Sequence, residues 1–141
     1  MDNIMQPLYI YIVEDDLLMA SALKRLLTGM GHCVCGIADS YIKAVYEIQR
    51  IEVDLVITDI MLTGEKTGID LGRYIKANLN IPFIYLSSIS SNDMIRAALD
   101  NLPDSFLFKP VNKASLSAAL MNFNTRNNIP AQKNLSVFCP R

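Results

Sequence analysis

The chain has 141 residues, 51% of them hydrophobic, and a formal net charge of -1. That length suits one domain with a substantial core, and the near-neutral balance gives no general drive toward nucleic acid or an anionic membrane. No apolar run is long enough for a membrane span, and residues 1–7 lack the basic and apolar blocks of a signal peptide. The three cysteines, Cys33, Cys35 and Cys139, are too sparse and odd in number for a disulfide framework, so a reducing cytoplasm is expected. Cys33 and Cys35 lie two apart in a probable strand. Without a second ligand pair they read as small core residues rather than zinc ligands.

The β-branched and aromatic run over residues 8–13 predicts a first strand, ending in Glu14, Asp15 and Asp16. Met19, Ala22, Leu23, Leu26, Leu27 and Met30 then recur at helical spacing, with Gly29 and Gly31 as the stop. A second strand is expected over residues 32–38. A second helix follows, capped by Asp39 or Ser40 and carrying Tyr41, Val45 and Ile48 on one side. Val53, Leu55, Val56 and Ile57 form an apolar run without polar alternation, which suits a central strand covered on both faces. That strand stops on Asp59.

A Gly-containing loop over residues 63–68 leads to a third helix with Leu71, Tyr74, Ile75 and Leu79 in register. Pro82 opens a fourth strand that ends at Ser87 and Ser88, and Ser91 or Asn92 can cap a fourth helix bearing Met94, Ala97 and Ala98. The fifth strand, residues 105–108, closes on Lys109-Pro110. Asn112 caps a last helix with Leu116, Ala119, Leu120 and Phe123 on one face. Five strands alternating with five helices imply an α/β, doubly wound, five-stranded parallel sheet with right-handed crossovers. The domain is expected over residues 1–124. Residues 125–141 are expected to be a tail or the start of a truncated linker or output region.

In a parallel sheet the C-terminal strand ends share one edge, where open α/β sheets place their sites. Strand one brings Glu14, Asp15 and Asp16 there, strand three Asp59, strand four Ser87 and strand five Lys109. Each has a plain structural reading taken alone. Asp59 can be a turn former, Glu14 and Asp15 helix caps, Lys109 a solvated side chain and Ser87 a lead-in to helix four. Together they make a different case. Clustered carboxylates repel unless a cation neutralises them, and hard oxygens favour Mg²⁺, which needs only one or two protein carboxylates. One acid is then left as a nucleophile, with a lysine and a hydroxyl for phosphoryl oxygens.

The stretches Ile12-Val13-Glu14-Asp15-Asp16, Asp54-Leu55-Val56-Ile57-Thr58-Asp59-Ile60-Met61-Leu62, Ile81-Pro82-Phe83-Ile84-Tyr85-Leu86-Ser87-Ser88 and Phe106-Leu107-Phe108-Lys109-Pro110 resemble the receiver domain of two-component response regulators. The resemblance runs from about Leu8 to Phe123, is of the chemotaxis-regulator type, and implies a flavodoxin-like sheet of order 2-1-3-4-5. It further implies that Asp59 accepts a phosphoryl group from a partner histidine kinase or phosphotransfer protein. Glu14, Asp15, Asp59 and the Met61 backbone carbonyl would hold Mg²⁺. Lys109 would pair with the carboxylate and then with the phosphoryl oxygens, the Lys109-Pro110 bond would be cis, and Ser87 and Phe106 would act as the switch pair. A face of helix four, strand five and helix five would then address an output partner, a lost output domain or a second copy in a homodimer. No membrane or direct nucleic-acid contact is implied for this domain, and no enzyme activity beyond its own aspartate.

The chain departs from the commoner family pattern at several points. Thr63 stands where a proline is usual, and the loop is one residue longer, placing Glu65 and Lys66 near the site mouth. Ser87 replaces threonine and Phe106 replaces tyrosine. Two other functions remain: a pseudo-receiver that binds without phosphoryl chemistry, and a Mg²⁺-dependent phosphatase with an aspartate nucleophile. The phosphatase is disfavoured because Met61 occupies the place of its second acid. His32, at the start of a strand, is expected away from the site edge and so is no internal phosphodonor.

Overall fold

The computed structural model describes residues 6–88 and 91–127, with side chains through residue 121. Five strands alternate with five helices: β1 (Tyr9–Val13), α1 (Leu17–Gly29), β2 (Cys33–Ala38), α2 (Tyr41–Ile48), β3 (Leu55–Asp59), α3 (Gly68–Asn78), β4 (Phe83–Ser87), α4 (Asn92–Asp100), β5 (Ser105–Phe108) and α5 (Lys113–Asn127). All pair in parallel in the order β2-β1-β3-β4-β5. The doubly wound architecture expected from the alternation is present, and so is the flavodoxin-like strand order implied by the resemblance.

Every residue of β1, β3 and β4 is buried, because helices cover both sides of the sheet. Side-chain alternation along the strands therefore feeds two cores. Ile10, Ile12, Leu55, Ile57, Ile84 and Leu86 pack with α1 and α5. Tyr11, Val13, Val56, Phe83 and Tyr85 pack with α2, α3 and α4. The edge strand β5 is less covered, and Phe108 at its end is exposed.

The helix ends follow local chemistry. Ser40 caps α2 and Ser91 caps α4, and Asn112 accepts the Ser115 amide at the head of α5. Thr67 and Asp70 form a reciprocal capping box on α3. Met30 is the C-cap of α1, and the next residue, Gly31, takes a φ of 96°, which glycine adopts without steric cost. Gly29 is the last helical residue rather than part of the stop. Phe123, expected on one face of the last helix, and the tail beyond residue 127 lie outside the described side chains and residues.

At the N-terminal edge of the sheet, side chains satisfy the strand heads. The Asp54 carboxylate accepts the Tyr9 amide at 2.8 Å and the Asp104 carboxylate accepts the Phe83 amide at 2.9 Å. His32 Nδ1 accepts the Leu8 amide at 3.1 Å. Cys33 is buried, as expected of a core residue. Among the described residues, no helix is long and apolar enough to cross a membrane.

Candidate functional site

The site lies at the opposite edge, where the strands end. Glu14 follows β1, and its amide donates to the Ala38 carbonyl of β2 at 2.9 Å. That bond extends the ladder one residue and fixes the side chain at the sheet mouth. Asp59 is the last residue of β3. Lys109 follows β5, its amide donating to the Ser87 carbonyl at 2.8 Å, and the Lys109-Pro110 peptide is cis, as expected.

Three strand ends meet at one ammonium. Lys109 Nζ donates to Glu14 Oε1 at 2.7 Å and to Asp59 Oδ2 at 2.8 Å. These side chains are largely buried, with relative exposures of 14% for Lys109, 2% for Glu14 and 10% for Asp59, so solvent screens the interaction little. Burial works against the lysine's charge, but the two carboxylates more than offset it, and Lys109 is raised above its ordinary pKa. Burial pushes Glu14 up, the bonds from Lys109 and the Asp16 amide pull it back, and the Asp59 charge adds to the upward push. Glu14 ends above its usual range. A second cation at this place would relieve that strain on the carboxylate.

Asp15 completes an acidic group. Ligand oxygens of Glu14, Asp15 and Asp59 all lie within 4.8 Å of one another. Hard oxygens at this spacing fit an ion such as Mg²⁺, and three carboxylates facing one lysine leave negative charge for it to neutralise. The Met61 amide donates to Asp59 Oδ1 at 3.3 Å, which turns the loop after β3 back over the carboxylate. Ser87 closes β4, fully buried. Phe106 is partly buried against the core under α2, α3 and α4, its ring edge-on to Tyr85 with centroids 6.4 Å apart.

Asp16 belongs elsewhere. Its carboxylate accepts the Leu18 and Met19 amides as the N-cap of α1, so the capping role open to its two acidic neighbours falls to Asp16. Glu65 is exposed, and the Lys66 ammonium stands 5.5 Å over the Tyr41 ring at the start of α2. His32 sits at the far edge of the sheet, away from the acids, as expected.

Three contributors escaped the sequence reading. Gly68 opens α3 directly against β3: a Cβ there would lie 1.8 Å from the Asp59 carbonyl oxygen. Only glycine lets α3 begin so close to the Asp59 backbone. Gly72 leaves room in the same way for the Tyr85 hydroxyl, which accepts a hydrogen bond from Asn101 Nδ2 at 2.8 Å. Thr63 reaches Asp15 with both its amide and its hydroxyl. A glycine at a helix start and a tyrosine in a buried strand are the traces such contacts leave in sequence.

Residues 10–121 match the model of the response regulator receiver domain. The DNA-binding response regulator MtrA of Mycobacterium tuberculosis is 28% identical over 91% of this chain and 55% of its own length. The transcriptional regulatory protein TcrA of the same organism is 32% identical over 86% of this chain and 47% of its own. The chain thus spans about half the length of these curated relatives. Among solved structures, the signal receiver domain of a modulated diguanylate cyclase from Desulfovibrio desulfuricans G20 superposes with a TM-score of 0.81 at 27% identity, covering 87% of this chain and 98% of that one. The receiver domain of a signal transduction histidine kinase from Syntrophus aciditrophicus gives 0.78 at 25%, covering 92% and 98%. The strand order, the acids and lysine at one sheet edge, and a match over most of the chain agree: this chain belongs to the response regulator receiver domains of two-component systems.

Proposed function

We propose that this domain is a phosphorylation-controlled switch with Asp59 as phosphoacceptor. The observation that carries the reading is the convergence of Glu14, Asp59 and Lys109, from three separate strand ends, within 2.8 Å contacts. An Asp59 carboxylate oxygen attacks the phosphorus of a phosphohistidine on a partner histidine kinase or phosphotransfer protein. The new O–P bond forms as the P–N bond breaks, and the imidazole takes back the electron pair. Lys109 holds the carboxylate in place and then faces the phosphoryl oxygens. Glu14, Asp15, Asp59 and the Met61 carbonyl would hold Mg²⁺, which would supply positive charge to the same oxygens. The domain acts on its own aspartate alone, in a cytoplasmic setting.

Ser87 and Phe106 read the outcome. The Ser87 hydroxyl turns to the phosphoryl group, and Phe106 follows into the space behind it, repacking the face of α4, β5 and α5. A reversal from 1:99 to 99:1 requires roughly 5.5 kcal/mol of differential binding to the active state. Leu99, Phe108 and Met121 are exposed on these three elements, giving that face apolar side chains for a partner, a joined output region or a second copy. The domain itself makes no direct nucleic-acid contact in this reading.

Intact mass after incubation with Mg²⁺ and acetyl phosphate tests it. The expected result is a Mg²⁺-dependent gain of one phosphoryl mass in the wild type and none in Asp59→Asn. A folded wild type that gains nothing, from acetyl phosphate or from a phosphohistidine donor, would leave a pseudo-receiver as the better description.

A further inference from the structure

Of the three clustered carboxylates, Glu14 and Asp59 are bonded to Lys109, and Asp15 is held from another direction. Asp15 Oδ2 accepts two hydrogen bonds from Thr63, one from its backbone amide at 3.0 Å and one from its hydroxyl. Thr63 lies 48 residues away in sequence, just past Met61 and the buried Leu62 in the segment that leaves β3. Gly64 follows with a φ of 107°, so the chain turns away immediately after the contact. Both donors end on the same oxygen.

The residue type matters. Proline has neither an amide hydrogen nor a hydroxyl, so a loop with proline at this position makes neither bond. In this chain a partly exposed aspartate, otherwise free to rotate at the end of β1, is tied to the segment that carries Asp59 and Met61. Hydrogen bonds to an ionised carboxylate are charge-assisted and short. A carboxylate whose one oxygen is fixed presents the other in a defined direction, which is how outer partners of metal ligands raise affinity.

We propose that Thr63 is a positioning residue for the cation site, fixing Asp15 Oδ2 so that Oδ1 faces the ion. This rests on the reading that Glu14, Asp15 and Asp59 take Mg²⁺. The two are separable by experiment.

The test is a titration of the full chain with MgCl₂, followed by backbone amide resonances, on the wild type and on Asp15→Asn, Thr63→Ser, Thr63→Val and Thr63→Pro. Thr63→Ser keeps both donors and should match the wild type. Thr63→Val keeps the amide alone and should bind more weakly. Thr63→Pro should be weakest, by about 10-fold or more, the lower end of what outer partners contribute. Unchanged or tighter binding in Thr63→Pro would overturn the proposal, tighter binding marking Thr63 as a competitor of the ion. Should the proline variant fail to fold, Thr63→Val decides: affinity equal to wild type overturns it, and a loss that Thr63→Ser does not share supports it. Absence of Mg²⁺ binding in the wild type, or undiminished binding in Asp15→Asn, would instead overturn the cation site itself, and the role of Thr63 with it.

Discussion

Charge balance at the sheet mouth is set by single residues. With two carboxylates bonded to one lysine and a third beside them, removing an acid and removing the lysine should have opposite effects. Asp59→Asn relieves repulsion with Glu14 and should raise stability in the absence of divalent cation. Lys109→Met leaves buried carboxylates without their partner and should lower stability by about 3 kcal/mol. Mg²⁺ should shrink both differences, because it neutralises the same charge; urea unfolding with and without the ion checks all of this. His32 gives a separate expectation. Burial lowers its pKa, and its Nδ1 must stay unprotonated to accept the Leu8 amide. The unfolded chain therefore binds more protons than the folded one once pH falls below about 6.5, the ordinary value. Stability is complete above that pH and declines below it, by up to ~1.4 kcal/mol per pH unit until the folded form also protonates. In His32→Asn this component of the slope between pH 7.5 and 5.5 should vanish.

Secondary-structure elements meet at points where one atom too many cannot fit. Gly68→Ala places a methyl against the Asp59 carbonyl, whose neighbour is strand backbone and not a side chain that can swing aside. Either α3 or the end of β3 must shift, with an expected cost of about 1–3 kcal/mol and a marked fall in Asp59 phosphorylation. At the Tyr85 hydroxyl, Tyr85→Phe and Asn101→Ala should each cost about 1 kcal/mol. A double-mutant cycle should show that the two losses are not additive. The elements themselves were legible in the sequence, because strands as apolar as β3 and helices headed by Ser40, Ser91 and Asn112 declare their type locally. The strand ends likewise named Glu14, Asp15, Asp59, Ser87 and Lys109. The partners within the site were less legible. That Asp16 rather than its neighbours caps α1 depends on where the chain turns by one residue. The contact of Thr63 with Asp15, of Gly68 with Asp59 and of Asn101 with Tyr85 depends on approach between segments far apart in sequence. Periodicity says which face a residue occupies, not which atom it will touch.

At the scale of the molecule, the sheet separates its tasks. Asp54, Asp104 and His32 close the strand heads at one edge, and the acids, lysine and serine gather at the other. If the face of α4, β5 and α5 joins two copies, sedimentation of the protein loaded with beryllium fluoride should show a dimer that Phe108→Glu abolishes while Asp59 phosphorylation persists. The covering of the strands has a further consequence. Asp59 stands at the end of a strand buried at every position, in the middle of the sheet, whereas Phe106 lies on, and Lys109 directly follows, the least covered strand, at the sheet's edge. Free energies of local opening follow such differences in burial. Amide hydrogens of β5 should therefore exchange with deuterium well before those of β1 and β3. If Asp59 is the acceptor and Phe106 the reporter, the one would be mounted on a slow-opening strand and the other on a fast one, so that a chemical event at a rigid point would be registered by a strand that yields without the sheet coming apart.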